Sequence, residues 1–68
     1  MEKYDEIINL LNEKFDKINE NKLISYSETA YMMFLVIKKM EKNYKSTEDL
    51  LIFHQALRNW MCENVGVF

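Results

Sequence analysis

From Met1 to Ile18 the apolar residues return at alternating intervals of three and four. Met1, Tyr4, Ile8, Leu11, Phe15 and Ile18 form one stripe, the spacing of an amphipathic helix face. Ile7 and Leu10 widen it. Glu2, Asp5 and Glu6 lie in the first turn, where the helix dipole favours negative charge, and Glu13 and Lys17 make an i,i+4 pair. The pattern predicts a first helix over about residues 2–19. The stripe also fits a coiled-coil seam, but for fewer heptads than such a seam needs. Packing against other helices of the same chain is the expected use.

Residues 20–24 read as a connection. Ser25, with Glu28 three positions on, has the spacing of a capping box, and Ser27 is a competing cap. A second helix is predicted over about 26–44, with Lys42 and Lys45 near its end as the dipole prefers. Its apolar residues do not form a stripe. The run Ala30-Tyr31-Met32-Met33-Phe34-Leu35-Val36-Ile37 is unbroken, and Met40 and Tyr44 follow. At 3.6 residues per turn such a run circles the helix about twice, so it presents apolar groups in every direction.

Ser46 or Thr47, followed by Glu48 and Asp49, marks the start of a third helix over about 47–65. Leu50, Phe53, Leu57 and Trp60 share a stripe there, with Ile52, Ala56 and Met61 beside it. Gly66 suits the left-handed position just past a helix end. It would fold Val67 back towards Cys62, which is expected to be a small buried apolar residue. A chain without proline and with one glycine is poorly suited to tight β-hairpins. The expected fold is all-α: one domain over residues 1–68, most simply an up-down-up three-helix bundle.

The apolar run has two explanations. Either the second helix is central and covered by both neighbours, or one of its faces is buried in a second chain. It is far too short for a bilayer, which needs about 20 residues. A domain this small buries only about 60% of its unfolded surface, and the usual reinforcements are restricted. Cys62 is the sole cysteine, so there is no intrachain disulfide, and one Cys with one His cannot supply the four ligands of a zinc site. Oligomerisation or docking remains. The expected contact residues are Tyr31, Met32, Met33, Phe34 and Leu35, together with Phe68 at the end of the apolar segment Val65-Gly66-Val67-Phe68. Methionines adapt to varied surfaces and tyrosine is enriched at interfaces. Trp60 shares the stripe of the third helix and is expected in the core.

A net charge of −2 argues against generic nucleic-acid coating, which needs a clearly basic balance. A narrower DNA-binding alternative exists. His54, Gln55, Arg58 and Asn59 fall on one side of the third helix and are residue types that read base edges. Lys38 and Lys42, with Lys39 and Lys45, could meet phosphates, as in a helix-turn-helix whose third helix enters the groove. Glu48 and Asp49 at the start of that helix oppose it, as does a turn without glycine. A solvated outer face is the expected reading.

No catalytic role is expected. His54 is the one candidate general base, and Cys62 lies two turns further along the same helix, about 12 Å away, beyond hydrogen-bond reach. The sequence shows no metal-loop pattern and no glycine-rich phosphate loop, so no metal, cofactor or small-molecule substrate is expected. The single cysteine and the polar, acidic start point to a reducing cytoplasm. Eight lysines to one arginine, with seven asparagines, suggest an AT-rich genome such as a low-GC bacterium or its phage. Small helical regulators of phages and mobile elements share this size and composition. The expected function is therefore a non-enzymatic helical interaction module. It would self-associate as a homodimer, bind and inhibit a target protein such as a host protein, or do both.

Overall fold

The computed structural model describes residues 2–20 and 25–64. Three helices follow one another: α1 over Glu2–Asn19, α2 over Tyr26–Glu41 and α3 over Thr47–Asn64. Among the described residues there is no strand. The expectations for Val65, Gly66, Val67 and Phe68 lie outside the described residues.

Local chemistry sets the helix starts. Ser25 Oγ accepts the Glu28 N–H at 3.2 Å, and Glu28 Oε1 accepts the Ser25 N–H at 3.3 Å, completing the capping box. Ser27 lies inside the first turn instead. Ser46 Oγ accepts the Asp49 N–H at 3.1 Å and the Ser46 carbonyl accepts the Leu50 N–H at 3.0 Å, the two bonds of an N-cap.

The end of α2 differs from the expected one. The helix stops at Glu41, three residues before Tyr44. Asn43 N–H bonds the Met40 carbonyl and Tyr44 N–H bonds the Glu41 carbonyl, each at 3.0 Å, so the last turn tightens to i→i−3 bonding. The cause lies across the link. Tyr44 stacks on Phe53 with centroids 5.0 Å apart and an interplanar angle of 22°, and it reaches that ring by leaving the helix.

The helix that is central in space is α1, not α2. It packs along both partners, whereas α2 and α3 pack on α1 and scarcely on each other. Position decides which side chains of α1 are covered. Ile7 and Leu11 have no exposed surface and Ile18 is nearly covered, while Tyr4, Ile8, Leu10 and Phe15 are half-buried beside them. Ile7, read from sequence as the margin of the stripe, sits in its middle because two helices close on that face. Phe53, Ala56 and Trp60 complete the core from α3, and Met33 and Met40 from α2. Cys62, expected to be buried, is exposed; it lies two residues beyond Trp60, on the side of α3 away from the core.

The α1–α3 contact carries polar ties as well. Trp60 Nε1 donates to Asn12 Oδ1 at 2.7 Å, Asn59 Nδ2 donates to the Tyr4 hydroxyl at 2.7 Å, and Lys3 Nζ donates to Asp49 at 2.8 Å. Phe15 meets the Trp60 ring edge-on at 5.2 Å, a favoured aromatic geometry. Nothing buried is left unsatisfied among the described side chains.

Two expected outcomes follow from this packing. Phe53→Ala should cost about 3–5 kcal/mol, a large share of the roughly 3–10 kcal/mol available to a domain of this length. Thermal melts should show the midpoint lowered by more than about 10 °C, with Leu51→Ala, at an exposed site, unchanged. Acidification should lower the thermal midpoint. The Lys3 ammonium holds the Asp49 carboxyl below its ordinary range, and the bond to His54 does the same for Glu41. Carboxyls depressed in the folded state contribute stability above their unfolded pKa, and it is lost as pH falls through the folded value. The loss should therefore begin from roughly pH 5 downward, and Lys3→Met should remove the Asp49 share of it.

Candidate protein-interaction surface

Because α1 covers only one side of α2, the rest of the apolar run stays at the surface. Tyr31 is 63% exposed, Phe34 53%, Leu35 49% and Met32 42%. Tyr26, at the first position of the helix, is 73% exposed. Of the five contact residues expected in α2, four are thus exposed. Met33 is different: it points into the core at 5% exposure and contributes to folding. Phe68 lies outside the described residues.

The separation of α2 from α3 creates a second feature. A groove of about 460 Å³ runs between them, within the range of roughly 300–1,000 Å³ common for binding clefts. Phe15 of α1, Ala30, Met33 and Phe34 of α2, and Trp60 and Met61 of α3 line it. Asn19, Tyr26 and Asn64 stand at one end. Towards the α2–α3 link the two helices are joined by Glu41 and His54, whose Oε2 and Nε2 are 2.9 Å apart. The helices therefore diverge from that tie towards Tyr26 and Asn64. On the other flank of α2 a shallower depression lies among Ile18, Met32, Leu35, Val36 and Lys39.

Lys38 extends over Phe34. Its Nζ lies 5.6 Å from the centroid of Phe34, a cation–π contact that leaves the ring exposed. The α3 residues of the DNA-binding alternative, His54, Gln55, Arg58 and Asn59, are all exposed, and two of them bond to neighbouring helices. His54 turns to Glu41 of α2, whereas Asn59 turns to Tyr4 of α1. Gln55 and Arg58 lie exposed between them, and Lys38 and Lys42 are exposed on and just after α2. Asp49, at the leading end of α3, is paired with Lys3. Among the described residues no group of three or more His, Cys, Asp or Glu side chains is placed to hold a metal, and no helix is long and apolar enough to cross a membrane.

Sequence reasoning found the apolar run but missed the groove. The groove exists because α1, not α2, is central, and no local pattern reports that. Tyr26 was also missed; an aromatic at the first turn, off the core stripe, was the available signal.

If this surface is accessible, the folded chain should bind an apolar fluorescent dye at neutral pH, with near-ultraviolet circular dichroism confirming fixed side-chain packing. Phe34→Ser should reduce the dye signal several-fold without altering the melt. An equal signal from both proteins would show that the dye binds elsewhere.

Compared with protein-family models, curated proteins and solved structures, the chain matches none.

Proposed function

We propose that this chain is a non-enzymatic protein-interaction module of the cytoplasm, acting through the exposed apolar surface of α2 and the groove beside it. It would self-associate, bind and regulate a target protein, or do both, and inhibition of a host protein is the corresponding role for a phage- or mobile-element-encoded chain. One observation carries the reading: Tyr31, Met32, Phe34 and Leu35 are all 42–63% exposed on a single helix. Fully burying one such apolar side chain is worth about 1.5–3 kcal/mol. Four together leave a large gain that only another surface can realise, and exposed apolar patches of this kind mark interaction sites. Binding in a groove between helices is also a common mode for an amphipathic partner helix.

The non-enzymatic part rests on the chemistry of the side chains. The one imidazole is bonded to Glu41 and does not line the groove, whose lining is mostly apolar. The DNA-binding alternative draws less support, because His54 and Asn59 turn to opposite neighbours.

Affinity capture from a lysate of the native host tests the reading, with the wild-type chain and a Tyr31→Gln/Leu35→Gln variant as baits. Glutamine is a good helix former, so circular dichroism should show both baits folded. The wild type should retain its own untagged copy or a specific protein, and the variant should lose it. A wild-type bait that retains neither overturns the proposal.

A further inference from the structure

We infer that the outer face of α2 pairs with the same face of a second copy of this chain, antiparallel, about a two-fold axis at the level of Met33. The inference rests on the interaction reading above and adds the identity of one partner and its register. The side of α2 opposite the core residues Met33 and Met40 carries Glu28, Tyr31, Leu35 and Lys38, with Lys42 continuing the line just past the helix end, at alternating intervals of three and four. All five are exposed. That spacing is the seam of a two-helix pairing, and the stripe is apolar in its middle, acidic at one end and basic at the other.

Such a stripe complements itself in one orientation. A two-fold axis makes an isologous contact, in which each residue meets a fixed counterpart on the partner. Centred on Met33, the antiparallel arrangement sets Tyr31 against the partner's Leu35 and Leu35 against the partner's Tyr31. It sets Glu28 against the partner's Lys38, with the partner's Lys39 alongside. Each Glu28 then faces a partner cation, and the helix dipoles oppose favourably. The parallel arrangement would instead stack Glu28 on Glu28 and Lys38 on Lys38. Phe34 and its mate come side by side on one flank, and Met32 and its mate on the other, so the same contact covers all four exposed apolar residues of the run. Two helices meeting over about 20 Å form a contact smaller than the roughly 1,600 Å² of a standard interface, the size class of transient associations.

Sedimentation equilibrium on the full chain tests this. The wild type should move from its 8.3 kDa monomer mass towards twice that value as concentration rises to about 1 mM. Lys38→Glu/Lys39→Glu should weaken the dimer roughly ten-fold. Adding Glu28→Lys to that variant should restore it. Glu28 also belongs to the Ser25 capping box, so loss of the cap alone would weaken the protein further and cannot mimic the rescue. Register has a separate readout in a Cys62→Ser background. A mixture of Tyr31→Cys and Leu35→Cys chains should cross-link by disulfide faster than either chain alone. A monomer mass up to 1 mM, a dimer indifferent to the charge reversals, or faster linkage of Tyr31→Cys to itself each overturns the inference. If the chain is monomeric while the Tyr31→Gln/Leu35→Gln bait still loses a captured protein, the interaction reading stands and the self-pairing does not.

Discussion

Ile7 and Leu11 are held out of solvent between two helices, and that clamp on α1 governs the arrangement of the whole molecule. A chain of 68 residues can assemble one core of modest size. Here that core is built on one side of α1, where α2 and α3 converge. Among the described residues, the side chains without exposed surface are Ile7, Leu11, Phe53 and Ala56, and all belong to α1 or α3. The contribution of α2 is lighter, two methionines at 5% and 8% exposure. Methionine fills such a contact without demanding close shape complementarity.

The two sides of α1 are held differently. Towards α3 the apolar contact is reinforced by the Trp60–Asn12, Asn59–Tyr4 and Lys3–Asp49 bonds. These fix rotation and register, because hydrogen bonds are directional where hydrophobic contact is not. Towards α2 the core contact is methionine and partly buried aliphatic side chains. α2 and α3 barely touch; the Glu41–His54 pair joins them, and the Tyr44–Phe53 stack holds their short link on α3. Beyond those ties the helices part, and the apolar groove is the space this leaves. The groove and the exposed outer face of α2 thus share one origin: the middle helix of the sequence is peripheral in the fold.

That origin shapes what the protein can do. An exposed charged face is solvated and inert, whereas exposed Tyr31, Phe34 and Leu35 carry an unrealised burial energy that a second surface can supply. The cations on α2 keep that surface compatible with water. Lys38 lies against the Phe34 ring and offers its ammonium to solvent, the usual compromise of a long amphipathic side chain.

Local signals were legible in the sequence. The Ser25–Glu28 capping box, the Ser46 cap, the dipole-matched first turn of α1 and the 3.6-residue periodicity placed three helices almost to the residue, because each depends on groups within one or two turns. The apolar run was legible too, as was the fact that one chain would struggle to cover it. The neighbours of each helix were not. Whether α1 or α2 is central depends on which stripes interlock best across tens of residues, and both readings satisfy the same local pattern. Hence Cys62 was expected inside and lies outside, Met33 was expected at a contact with another chain and is buried within this one, and α2 was carried to Tyr44 when the Phe53 ring draws that residue out of the helix. The sequence by itself determined the helices and the excess of apolar surface, since propensity and capping are local. Only the tertiary structure decided where that excess lies, since the burial of any face is a property of the partner that covers it.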